Sequence, residues 1–281
     1  MSSPILAIDL DGTLLRDDKT VSDFTIETLQ SVSKTGAQIL FATGRRERIS
    51  IPVLKSFNFK SRAIYDNGML AVDWPSQRRI FSNYIPKNLI LKVIHCLKEI
   101  ARPPVLFMDS EPGKPDILMD KSLLSIEVYR EYSETHKDFS IIEENIAESK
   151  HLGKIVGIFL SEPLESVPEI RAHLTNMLEE VIEHRALDNL LYRPHLRIIE
   201  ILQPGHTKWN GISELKKMIG GLGTEVIAFG DDHNDIDMLA NADRSFAPES
   251  AIKAAKEAAD EIIGSNNEDG VAKKLKELFL C

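Results

Sequence analysis

Residues 7–18 read AIDLDGTLLRDD, and two aspartates, Asp9 and Asp11, stand one residue apart just past the apolar run PILAI at 4–8. The run is too short for a helix and is bounded by a turn signal, so it reads as a buried strand. Like charges this close repel, and each resists losing its water. Either the pair lies on a wet turn, or something positive sits between them.

Outward from this point a simple alternation appears. Residues 22–33 carry Phe24, Ile26, Leu29 and Val32 at near-helical spacing, 37–41 (AQILF) form the next buried run, 46–56 suit a helix, and 63–65 form a short strand before Asn67-Gly68. Strand, helix, strand, helix, strand is the pattern of a parallel sheet with crossover helices. The same texture returns near the C-terminus. There TEVIAF (224–229) reads as a strand, 236–240 as a short helix, 245–247 as a strand, 251–259 as an alanine-rich helix, 261–263 as a strand and 271–278 as the last helix.

Between these halves the chain is richer in Pro and charge. Alternating stretches occur at 116–120 (DILMD) and 154–160 (KIVGIFL), with helical patterns at 89–100 and 167–178, and the charged stretch 131–150 reads as a solvated helix face or loop. The expected organisation is a discontinuous parallel-sheet core, 1–84 plus 191–281, with an inserted α+β domain at 85–190.

Bulk properties agree with two domains. The chain has 281 residues, 43% hydrophobic and 27% charged. A formal charge of −9 argues against a nucleic-acid binder, though a local site can still attract an anion. Two cysteines imply no disulfide framework. Without a basic leader or a membrane-length apolar run, the expectation is a cytoplasmic protein, monomer or homodimer, away from membranes.

In open parallel sheets, ligands bind beyond the carboxyl ends of the strands. Asp9 and Asp11 fall at such an end, as do ATGR (42–45) and GDDHND (230–235), while Lys208 in PGHTKWNG precedes a helix expected at 212–218. A parallel sheet would gather Asp9, Asp11, Asp231, Asp232 and Asp235 along one edge, which needs a cation. Carboxylates without thiols or clustered histidines favour a hard ion, and Mg²⁺ is the usual one. A calcium-binding EF-hand loop fails, because Ile236 stands where its glycine belongs and Ala242 where its glutamate belongs. With Mg²⁺, a carboxylate can attack phosphorus, its neighbour can move the proton, and Lys208, the Thr43 hydroxyl and backbone N–H groups can neutralise the phosphoryl oxygens.

Those residues resemble the haloacid dehalogenase superfamily, and within it the Cof-type sugar-phosphatase branch. DLDGT (9–13) is similar to its first motif, Thr43 to the hydroxyl of the second, Lys208 to the lysine of the third, and Asp231 with Asp235 to the acidic fourth. Asp66-Asn67-Gly68 resembles the family's Asn-Gly turn, and SNNEDGV (265–271) its C-terminal signature. The resemblance implies a Rossmann-like α/β core with helices on both faces and an inserted α+β cap. It also implies Asp9 as nucleophile and Asp11 as acid/base. The Mg²⁺ ligands it implies are the Asp9 carboxylate, the Asp11 carbonyl, Asp231 and Asp235. Gly44, Arg45, Asn67 and Asn234 join Thr43 and Lys208 as substrate-binding candidates, with Arg45 equally suited to pairing with an acid. The branch usually has glycine directly after the lysine; here Trp209-Asn210 intervene, which makes Trp209 a candidate to face substrate. In the cap, His184, Arg185 and Asp188-Asn189 are candidates for reading the leaving group.

The expected activity is Mg²⁺-dependent hydrolysis of a small phosphomonoester, a sugar phosphate or a phosphorylated cofactor, through phospho-Asp9. Two alternatives stay open: a phosphomutase or phosphotransferase with the same intermediate, and a non-catalytic binder of phosphate or Mg²⁺.

Overall fold

The computed structural model describes residues 3–178, 183–188, 195–203 and 205–280, with 178 and 183–188 as backbone only. The chain divides into two compact units, one made of Met1–Ser82 and His206–Cys281, the other of Asn83–Gly205.

The first unit opens with β1 (Ile5–Ile8), α1 (Asp23–Lys34), β2 (Gln38–Ala42), α2 (Glu47–Leu54), β3 (Ser61–Tyr65), β4 (Leu70–Trp74) and β5 (Arg78–Ser82). The second unit contains α3 (Lys87–Glu99), β6 (Val105–Met108), β7 (Ile117–Asp120), α4 (Glu127–Thr135), β8 (Ser140–Glu143), β9 (Ile155–Pro163), α5 (Val167–Leu178), β10 (Glu183–Asp188) and β11 (Leu196–Leu202). The first unit is completed by α6 (Lys208–Met218), β12 (Val226–Phe229), α7 (Ile236–Asn241), β13 (Arg244–Pro248), α8 (Lys253–Ala258), β14 (Glu261–Ile263) and α9 (Gly270–Phe279).

The first unit's strands form one sheet in the order β14-β13-β12-β1-β2-β3-β4-β5. From β14 to β3 every pairing is parallel, and β4 and β5 add an antiparallel hairpin at the edge. The central strands β1 and β12 are buried along their whole length, as a sheet covered on both faces requires. On one face Ile5, Ala7, Leu40 and Ala228 pack with Ile212, Leu215 and Met238 of α6 and α7. On the other, α1 packs against α9. Helix α1 starts where the sequence supplies a cap: the Ser22 side chain accepts the Thr25 N–H, and Leu29 and Val32 are buried.

The second unit's sheet runs β10-β11-β9-β6-β7-β8, antiparallel except for β7 and β8. An α/β core sheet and a separate α+β unit are therefore both present. Four details differ from the sequence reading. The expected boundary at 190/191 lies outside the described residues, and β11, expected in the core, pairs with β9 and β10 instead; the division falls at Gly205/His206. Apolar content alone could not assign β11, since either sheet would bury it. Part of the charged stretch forms β8, whose backbone pairs with β7 although its side chains are only half-buried or exposed. The β4–β5 hairpin follows a turn whose Asp66 and Asn67 take left-handed φ values of 50° and 52°. Finally, α6 begins at Lys208, four residues earlier than expected, because Thr207 caps it by accepting the Asn210 N–H.

Candidate active site

Parallel pairing sets the register that gathers the acidic corners. Ile8 lies opposite both Phe229 and Phe41, so β1 and β12 end together and β2 runs one residue further. The Asp9 N–H donates to the Phe229 carbonyl (3.0 Å), and the Thr43 N–H to the Ile64 carbonyl (2.9 Å). Asp9, Asp231 and Asp235 offer oxygens that lie within 4.8 Å of one another.

Lys208 holds this group together. Its Nζ donates to Asp9 Oδ1 (2.6 Å) and to Asp235 Oδ1 (2.7 Å), and the side chain is fully buried. The other oxygen of Asp235 accepts the N–H groups of Asp231 (3.1 Å) and Asp232 (3.2 Å), and Asp232 in turn closes a capping box with Asp235. Three carboxylates and one ammonium leave two uncompensated negative charges at full ionisation. The carboxyl pKa values follow from that excess and from burial. Burial, with Asp235 and Asp231 nearby, pushes the Asp9 carboxyl well above its ordinary range despite Lys208. Burial pushes Asp231 up to about 7, with Asp235 adding to it and the Thr13 hydroxyl opposing it. Burial pulls against the Lys208 ammonium, but Asp235 and Asp9 outweigh it and raise its pKa. All-oxygen ligands with a two-charge deficit fit a hard divalent cation such as Mg²⁺.

Asp231 depends on a partner 218 positions away: Thr13 Oγ1 donates to its Oδ1 (2.6 Å). Gly12, with φ at +78°, makes room for the same side chain, since a Cβ there would meet Asp231 Oδ2 at 2.2 Å. Thr13 lies within the DLDGT motif, but only the folded chain brings its hydroxyl to Asp231.

The Asp11 carboxylate faces elsewhere. Its Oδ2 accepts from Arg45 Nε (2.5 Å), and its Oδ1 from Arg45 Nη2 (2.6 Å) and Lys19 Nζ (2.9 Å). Burial opposes the shift, but Arg45 and Lys19 hold its pKa below the ordinary carboxylate value. Of the two roles open to Arg45, phosphate contact and an acidic partner, the structure shows the second, on Asp11, and adds Lys19, which no sequence motif marks. The Thr43 hydroxyl accepts the Arg45 N–H (3.0 Å). Asn234 Nδ2 donates to Asn67 Oδ1 (2.9 Å), and Gly44 lies against both amides, so all three are brought together.

The Asp66–Gly68 turn wedges against the start of α6. A Cβ on Gly211 would meet Gly68 Cα at 2.7 Å, backbone that cannot swing away. Gly211→Ala should therefore destabilise by about 1–3 kcal/mol, although alanine is the better helix former. A thermal melt no lower than wild type would refute this close packing. Trp209, in the first turn of a helix that starts at Lys208, is half-buried and packs against the core cluster that contains Ile212 and Leu215. His233 is exposed. Asn189 lies outside the described residues, as do the side chains of His184, Arg185 and Asp188.

A family model described as haloacid dehalogenase-like hydrolase matches residues 6–275. The chain belongs to this family. Among its relatives, a 5-amino-6-(5-phospho-D-ribitylamino)uracil phosphatase of Bacillus subtilis is 30% identical over 281 residues, covering 98% of this chain and 97% of its own length. A pyridoxal phosphate phosphatase of Escherichia coli is 24% identical, covering 97% of each. A haloacid dehalogenase-like hydrolase from Bacteroides thetaiotaomicron shares the fold with a TM-score of 0.78 at 22% identity, covering 99% of this chain and all of its own. Family and relatives make this haloacid dehalogenase-like hydrolase an enzyme of the phosphatase type. Among the described residues, no helix is long and apolar enough to cross a membrane.

Proposed function

We propose that the chain is a Mg²⁺-dependent phosphatase that hydrolyses a small phosphomonoester through a phosphoryl group carried on Asp9. The observation that carries this reading is the Lys208 ammonium between Asp9 and Asp235, beside a carboxylate cluster two charges short of neutrality. The Asp9 carboxylate, the Asp11 carbonyl, Asp231 and Asp235 would hold the ion, which supplies a fixed positive charge for carboxylate and phosphoryl oxygens.

The chain's own groups do the rest. Lys208 fixes one oxygen of Asp9, and the other attacks phosphorus as the bond to the leaving oxygen breaks. Asp11, two residues on, is the proposed donor of that oxygen's proton once its carboxyl leaves Arg45 and Lys19 and takes up a proton of its own, since their pairing holds it ionised and turned aside. It then takes a proton from the water that attacks phospho-Asp9, releasing inorganic phosphate and restoring the carboxylate. Its pairing with Arg45 and Lys19 favours the ionised form used in that second step. Thr43, Asn67 and Asn234 border the same edge and are proposed to hold phosphoryl oxygens. Given the relatives named above, the substrates proposed are phosphorylated cofactors or their precursors, and sugar phosphates.

The test is a panel of phosphomonoesters assayed with Mg²⁺ and with EDTA. Release of inorganic phosphate supports hydrolysis; an isomerised sugar phosphate would instead mark a mutase. Metal binding should also depend on pH in a defined direction. A proton on Asp231, held up to about pH 7 in the metal-free protein, competes with Mg²⁺. Apparent affinity should therefore rise about tenfold from pH 6 to pH 8. The metal-free stability runs the opposite way. A carboxyl whose folded pKa is raised gives its full contribution below its unfolded value and loses it as pH climbs through 7. Calorimetric titrations showing the same affinity at both pH values would reject Asp231 as a ligand.

A further inference from the structure

The C-terminal signature at 265–271 takes no part in the carboxylate cluster, yet it grips the loop that leaves it. Asn266, 2% exposed, donates through Nδ2 to the Leu15 carbonyl (2.9 Å) and to Asp17 Oδ1 (3.1 Å). Asn267 donates to Asp17 Oδ2 (2.9 Å) and accepts the Asp17 N–H (3.1 Å). Asp269, in left-handed backbone at φ 59°, accepts from Arg16 Nη2 (3.1 Å), Ser22 Oγ (2.7 Å) and Thr25 Oγ1 (3.3 Å).

The gripped loop is wound tightly. The N–H groups of Leu14 and Leu15 both donate to the Leu10 carbonyl (3.1 and 2.8 Å). The Arg16 N–H donates to the Thr20 carbonyl (3.0 Å), and the Lys19 N–H to the Arg16 carbonyl (2.8 Å). A displacement at Leu15 is thus passed to Thr13, whose hydroxyl holds Asp231. The loop's far turn carries Lys19, whose ammonium rests on Asp11.

We infer that Asn266 and Asp269 are positioning residues of the cation site. They hold the loop so that Thr13 binds one oxygen of Asp231 and leaves the other turned toward the cluster. Hydrogen bonds to a ligand's outer side orient it, and losing one typically weakens metal binding at least tenfold. The inference rests on the reading of Asp231 as a cation ligand.

Mg²⁺ calorimetry on the full chain, run below the melting onset of each variant, tests it without any assay of turnover. Thr13→Val should weaken Mg²⁺ binding about tenfold, and Thr13→Ser should restore it. Asn266→Ala should weaken binding severalfold, and should add nothing further when combined with Thr13→Val, since both act through one hydroxyl. Arg16→Met, which loosens the Asp269 end, gives a second lesion should Asn266→Ala fail to fold, and should weaken binding in the same direction. A purely structural grip would lower the melting temperature while the folded protein kept wild-type affinity. That result in both Asn266→Ala and Arg16→Met, or additive losses in the double variant, would overturn the inference. A wild-type protein that binds no Mg²⁺ would instead bring down the cation reading itself, and with it the inference.

Discussion

Asp9→Asn should abolish turnover while leaving the fold intact. An amide oxygen is a poor nucleophile toward phosphorus, so kcat should fall by a factor of about 10⁴ or more, roughly 5.5 kcal/mol in the barrier. The side chain keeps its size, and Lys208 keeps Asp235 at 2.7 Å, so no gross unfolding follows. Phosphate release across the ester panel and a thermal melt measure the two halves of the claim. Turnover within tenfold of wild type in a folded variant would reject Asp9 as the attacking group.

Lys208→Met should damage stability as well as rate. Without the ammonium, the carboxylates of Asp9 and Asp235 lie buried beside Asp231 with no cationic side chain among the described residues bonded to the pair. Breaking a buried charge pair by removing one partner costs about 3–5 kcal/mol. In a protein of this size that lowers Tm by about 10 °C. The loss should be larger at pH 8 than at pH 6, because protonation relieves the repulsion and Asp231 is held near 7. Mg²⁺ should recover much of it. Rate should fall a further 10²- to 10³-fold even with Mg²⁺ present, as a fixed charge beside the phosphoryl group is gone. Melts at both pH values, with and without Mg²⁺, decide the matter. A metal-free variant as stable as wild type at pH 8 would show that Lys208 does not neutralise the cluster.

Much of this is legible in the sequence. Short apolar runs alternating with helical spacing could be buried only in a parallel sheet with helices on both faces. Acidic residues at the ends of those runs then had to share one edge. The ends of β14 and α5 agree with the sequence reading to the residue. Other readings failed where local pattern carries no information about partners. The apolar alternation of β11 suits either sheet, and the start of α6 depends on Thr207 rather than on the first periodic residue.

The sequence by itself determined which side chains could do chemistry and on which strand ends they would stand, because hydrophobic periodicity and turn residues are local properties. Tertiary structure alone decided how their charges are shared. Lys208 bridges Asp9 to Asp235, Arg45 and Lys19 turn Asp11 aside, and Thr13 reaches Asp231. Such pairings join residues far apart in the chain, and their strength depends on distance and burial, which no local pattern encodes.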